Sequence, residues 1–119
     1  MAVSAEFLNF VLDQLSPWGG VTARRMFGGA GLYRQGKMFG LLADDVAYLK
    51  VDDSNRARFI NAGSTPFIPF PDRAKTTAMP YYSVPAEVLE NREELCQWAR
   101  GSLEIQAAQR GVGRHRPQG

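Results

Sequence analysis

One histidine, one cysteine and two pairs of adjacent aspartates are the residues in this chain whose types suggest chemistry. His115 lies four residues from the C-terminal end of the sequence, inside a glycine-rich and basic stretch. That position removes Ser-His-Asp and Cys-His nucleophile systems from the folded body. Cys96 stands two residues before Trp98 in a helical pattern and reads as a small core residue. A single Cys and a single His do not make a zinc site, and none is expected. Asp44-Asp45 and Asp52-Asp53 have the charge for a hard cation or for acid–base work. Their surroundings predict a turn for the first pair and a helix cap for the second. No catalytic residue, cofactor or metal is expected, and the chain reads as a non-enzyme.

Two fragments imitate binding motifs. Gly31-Leu-Tyr-Arg-Gln-Gly36-Lys37 has the frame of a phosphate-binding loop. Met38 stands where a hydroxyl should reach magnesium, however, and Phe39-Gly-Leu-Leu42 reads as strand where a helix should begin. Lys37-Met-Phe39-Gly40, with Phe27 and Tyr33 nearby, is a partial form of the aromatic sheet that stacks RNA bases. The reading preferred here sends these aromatics into a helix–sheet core.

The elements that must position these residues follow from periodicity. Ser4 caps a helix over residues 4–15, with Phe7, Leu8, Val11, Leu12 and Leu15 on one stripe. Pro17, Gly19 and Gly20 end it. From Val21 to Val51 four short strands are separated by glycines, by Arg34-Gln-Gly-Lys37 and by Asp44-Asp45. Turns this short join antiparallel neighbours, so the stretch reads as a meander. Alternation places Val21, Ala23, Arg25 and Phe27 on one face, and Thr22, Arg24, Met26 and Gly28 on the other. Arg24 and Arg25 therefore point to opposite sides, one of them either held structurally or marking a contact.

A short helix is expected after Asp53 or Ser54, ending at Gly63, with Phe59 and Ile60 inward. Residues 64–80 form a proline-rich arm, Tyr81–Val84 a fifth strand at a sheet edge, and residues 85–90 a short helix. Asn91 and Glu94 open a last helix with Leu95, Trp98, Ser102 and Ile105 on one face, ending near Arg110-Gly111. The fold class is α+β: an antiparallel meander of four to five strands with helices on one face. Residues 1–109 form one domain and 110–119 a basic disordered tail. Net charge is +2, and Arg110, Arg114 and Arg116 more than account for it, leaving residues 1–109 at −1. A folded surface that grips phosphate usually carries a basic bias of its own. No segment is apolar enough to span a membrane, and a cytoplasmic location is expected.

Arg24, Arg25, Met26, Phe27, Gly28 and Gly29, the hairpin Gly36-Lys37-Met-Phe39, the strand ending Tyr48-Leu-Lys50-Val-Asp52, and Met79-Pro-Tyr-Tyr82 together resemble the N-terminal domain of the TfoX/Sxy family, bacterial regulators of natural competence. Trp98 in the last helix fits as well, and the likeness runs over residues 4–108. The resemblance implies an α/β domain without catalytic residues or cofactor. It implies a part in switching on competence genes beside the cyclic-AMP receptor protein. The expected partner is another protein of the transcription machinery, and the chain is expected as a monomer or homodimer. Full-length members carry a second, helical domain after this one. Two other readings stay open. One is direct nucleic-acid binding through Arg110, Arg114 and Arg116 with sheet cations. The other is a small-ligand site between the arm and the sheet, lined by Phe67, Phe70, Tyr81 and Tyr82.

Overall fold

Tight turns decide the topology. Gln35 and Gly36 have φ of 56° and 76°, and Asp44 and Asp45 have 52° and 56°. Two consecutive residues at positive φ give the type I′ hairpin, whose twist matches that of the strands it joins. Gly36 adopts this conformation without strain, whereas the aspartates are among the side-chain-bearing residues that tolerate it best.

The computed structural model describes residues 3–26, 28–68 and 79–115. Its elements are α1 (Ala5–Gln14), β1 (Val21–Met26), β2 (Gly29–Arg34), β3 (Lys37–Ala43), β4 (Val46–Lys50), α2 (Arg56–Asn61), β5 (Pro66–Phe67), β6 (Met79–Ser83), α3 (Ala86–Leu89) and α4 (Arg92–His115). The strands form one antiparallel sheet in the order β1-β2-β3-β4-β6-β5. The α+β class and the meander stand as expected. The strand expected at an edge, β6, is instead flanked by β4 and by the two-residue β5.

The helices pack on one face. Val11 of α1 and Leu15 at its C-terminal end, Val88 of α3, and Leu95, Trp98 and Ala99 of α4 close over Leu32, Phe39, Leu42, Leu49 and Val51. Phe39 is the extra residue of a bulge between β2 and β3. It is wholly buried, with its ring 5.3 Å from that of Trp18 in an edge contact. Burying an aromatic of this size supplies a few kcal/mol of the core's stability, at about 25 cal/mol per Å².

Local signals place the helices. Ser4 Oγ accepts from the Phe7 amide at 3.0 Å, and Asn91 Oδ1 from the Glu94 amide at 3.0 Å. These two N-caps are as expected from sequence. Leu95, Trp98, Ser102 and Ile105 all face inward. Ser102, with no exposure, donates to the Lys50 carbonyl at 2.8 Å, so its hydroxyl is satisfied in the core.

Three local expectations are corrected. α2 begins at Arg56 after Asn55, and no side chain caps it. Only Phe59 faces inward from α2, while Ile60 is 53% exposed. And α4 continues past Arg110-Gly111 to His115, because glycine in a helix costs about 1 kcal/mol relative to alanine without forbidding it.

Candidate functional site

The residues that looked chemical in the sequence are structural where the fold describes them. Cys96 is 4% exposed, with its Sγ 3.8 Å from the Gln14 carbonyl in the packing between α1 and α4. Asp45 Oδ1 accepts from the Ser4 amide at 2.8 Å, tying the β3–β4 turn to the start of α1. Asp52 accepts from the amide and hydroxyl of Ser54, bonds that hold its carboxyl below the usual carboxylate range. Asp53 pairs with Arg56. Among the described residues no group of three His, Cys, Asp or Glu side chains gathers into a metal cage. Lys37 opens strand β3, so the phosphate-loop frame has no helix behind it.

The motif residues separate by face. Arg25 turns toward the helices and donates from Nη1 to the Val3 carbonyl at 3.1 Å. Gly28, at φ 80°, accepts the Val3 amide at 3.0 Å. Gly29 lies against β3, where a Cβ would stand 2.3 Å from the Leu42 carbonyl oxygen. Gly36 turns the β2–β3 hairpin, and Lys37 pairs with Arg34 at its base. The Lys50 carbonyl accepts from Ser102 Oγ and from Asn55 Nδ2. Phe27 and Arg116 lie outside the described residues, while Arg110 and Arg114 ride on the last turns of α4.

What remains is a constellation on the face away from the helices. Register aligns Thr22 with Tyr33 and Met38, and Arg24 with Gly31, Leu41 and Tyr48. Gly31 is its floor. A Cβ there would meet Met26 Cε at 2.6 Å, Tyr33 Cε1 at 2.9 Å and Met38 Sδ at 3.1 Å. The missing side chain thus lets two thioethers and a phenol ring converge on one spot. Arg24 is exposed, with its guanidinium carbon 5.7 Å from the Tyr33 ring centre, within cation–π range. Further along the same face, Lys50 Nζ lies 5.3 Å from the Tyr81 ring centre, and Tyr48 meets Phe67 edge-on at 5.0 Å. Burial raises the phenol pKa of Tyr81, with the Tyr33 charge adding to it; burial and then the charge of Asp44 do the same for Tyr48.

The expectation that the sheet aromatics fill the helix–sheet core therefore holds for Phe39 and fails for Tyr33. The proposed ligand pocket does not assemble as drawn. Phe67 and Tyr81 pack on the outer face, Tyr82 packs beside Phe59 under the helices, and Phe70 is outside the described residues. A cleft of about 400 Å³ opens elsewhere, between the Asp52–Arg58 turn and α4, with Arg58 stacked on Trp98. Tyr33, Met38 and Tyr48 were not singled out in the sequence as one patch. Carrying the alternation of Arg24 across the two-residue turns would have joined Tyr33 to Met38, but the bulge at Phe39 breaks the period before Tyr48.

The open antiparallel sheet thus carries helices on one side and an aromatic, methionine and arginine patch on the other. The family comparison agrees with the sequence resemblance: the model of the TfoX N-terminal domain matches residues 13–106, and the chain belongs to that family. It is also similar to an uncharacterized 12.7 kDa protein in the trpE 5' region of Spirochaeta aurantia, 41% identical over 61 residues. That alignment spans 51% of this chain and 53% of the relative. Among the described residues, no helix is long and apolar enough to cross a membrane.

Proposed function

We propose that this chain is a non-enzymatic regulatory domain of the cytoplasm that acts in transcription, on competence-type genes, through protein contacts made by the outer sheet face. The observation that carries the reading is the Arg24–Tyr33–Met26–Met38 cluster over Gly31. Arginine, tyrosine and methionine are the types enriched at protein interfaces, and acidic side chains are depleted there. Family membership supports the regulatory part of the reading.

The test is direct binding by biolayer interferometry of the full chain to purified RNA polymerase and to the cyclic-AMP receptor protein, alongside Tyr33→Ala. The reading expects one of them to bind the wild type and to lose about tenfold or more with Tyr33→Ala, the effect of a modest hot spot. Binding of neither above the Tyr33→Ala control overturns it.

Direct DNA contact is the second reading, favoured by three arginines in the last ten residues and by outer-face cations set over tyrosine rings. Anisotropy of labelled duplex DNA at two salt concentrations separates its forms. A salt-steep signal that vanishes in a chain ending at Gln109 assigns it to phosphate contacts of the tail. A signal that survives truncation moves it to Arg24 and Lys50.

A further inference from the structure

Strand β1 is the end of the sheet, and its backbone polarity can be assigned. A two-residue connection joins it to β2, so Met26 and Gly29 form the hydrogen-bonded pair that closes the hairpin. Bonded and non-bonded pairs alternate in an antiparallel ladder. Arg24–Gly31 and Thr22–Tyr33 are then the other bonded pairs. The next hairpin gives the same parity. Arg34 and Lys37 close it, so Arg34, Leu32 and Ala30 address β3 while Tyr33, Gly31 and Gly29 address β1. The N–H and C=O groups of Val21, Ala23 and Arg25 consequently point outward from the sheet. Among the described residues, no backbone group bonds to them. Such a row is a template for a further strand.

The side chains select which strand. Arg24 and Arg25 are adjacent and exposed, and because neighbours alternate in a strand, their cations straddle the edge, one on each face. Arg24 lies over the Tyr33 ring and Arg25 donates to the Val3 carbonyl. The ion pairs found among the described residues, Arg56–Asp53 and Arg92–Asp13, involve neither. A second copy of β1 laid alongside would bring two more arginines to the same place, and like charges across a ladder are destabilising. Carboxylates in those positions would instead form charge-assisted, forked hydrogen bonds.

We propose that β1 accepts an extended acidic segment of a partner protein as an added strand. Outward backbone groups of Val21, Ala23 and Arg25 would supply the ladder, and Arg24 and Arg25 would take two adjacent Asp or Glu side chains, one on each face. This rests on the protein-contact reading above and specifies the chemistry of the partner.

The probe is a short synthetic peptide of β-branched residues around a central Glu-Glu, with a Lys-Lys counterpart as control, each titrated into the full chain by calorimetry. Binding of the Glu-Glu peptide about tenfold or more tighter than its counterpart is expected, together with slowed amide exchange at Val21, Ala23 and Arg25. Ala23→Pro removes an outward N–H and leaves the bonds to β2, so it should weaken peptide binding while keeping the far-UV circular dichroism unchanged. The double variant Arg24→Glu/Arg25→Glu, which leaves the backbone intact, should reverse the preference toward the Lys-Lys peptide. Equal binding of both peptides by the wild type, or an unchanged preference in the double variant, overturns the proposal. If the acidic peptide fails while RNA polymerase or the receptor protein still binds through Tyr33, the edge proposal alone falls. If the peptide binds the edge and neither transcription component is held, the regulatory reading falls and the edge proposal stands.

Discussion

Under the helices, Leu32, Leu42 and Leu49 are at most 2% exposed, Phe39 is fully buried, and Ser102 and Gln14 spend their polar atoms on backbone carbonyls and a neighbouring arginine. On the outer side of the same strands, Arg24 is exposed, Tyr33 and Met38 are half-buried, and two cations lie over tyrosine rings. The alternation of a strand makes both surfaces from one sequence. The difference between them is that the inner face is closed by shape and the outer face by chemistry that is only partly spent. An inner residue should therefore register in stability, and an exposed or half-buried outer one in binding.

The largest expected effect is on the inner face. Phe39→Ala empties a fully buried site beside Trp18 and should cost about 3–5 kcal/mol, read as a lower denaturant midpoint. Two glycines of one strand sharpen the comparison within the outer face. Gly29→Ala drives a methyl against the Leu42 carbonyl oxygen, a backbone atom that cannot step aside, and should cost about 3 kcal/mol. Gly31→Ala meets only the ends of Met26, Tyr33 and Met38, which can turn away, and should cost about 1 kcal/mol while disturbing the contact patch. Equal destabilisation by the two, measured by urea unfolding, would break the distinction. Ser4→Ala removes the α1 cap and should cost about 1 kcal/mol by the same measurement, without touching binding.

The smallest effect is electrostatic. The phenols of Tyr48 and Tyr81 have raised pKa values in the folded chain, burial being the main cause for each. The unfolded chain then loses its phenol protons first. The stability these groups contribute is complete below the unfolded tyrosine value, about 10, and is lost as pH rises through the folded values. Tyr81→Phe should flatten part of that alkaline loss of Tm. An unchanged slope would contradict the assignment.

Much of this was legible in the chain. Alternation put Arg24 and Arg25 on opposite faces, Ser4 and Asn91 announced their caps, and the spacing of Leu95, Trp98, Ser102 and Ile105 identified the buried stripe of α4. Failures came where pattern is short or where register decides. β5 is two residues beginning with a proline, too few to show a period. α2 has six residues and one inward position, so Phe59 and Ile60 could not both be buried. Sequence alone sends Tyr33 into the core together with the other sheet aromatics. Its side is set by pairing with Thr22 and Met38 across two turns, and the bulge at Phe39 sends the neighbouring ring inward while Tyr33 stays out. For the motif itself, glycines that serve hairpins and close strand approach stand beside two exposed arginines at the sheet edge.

The central claim is that the outer face makes the contacts and the inner face only holds the fold. Its most direct test is methyl NMR of the chain labelled at methionine and isoleucine, titrated with whichever transcription component it binds. The account predicts that the Met26 and Met38 methyls shift and broaden, while that of Ile105, buried on α4 away from the outer sheet face, stays in place. Methionine signals that do not move while Ile105 does would contradict it.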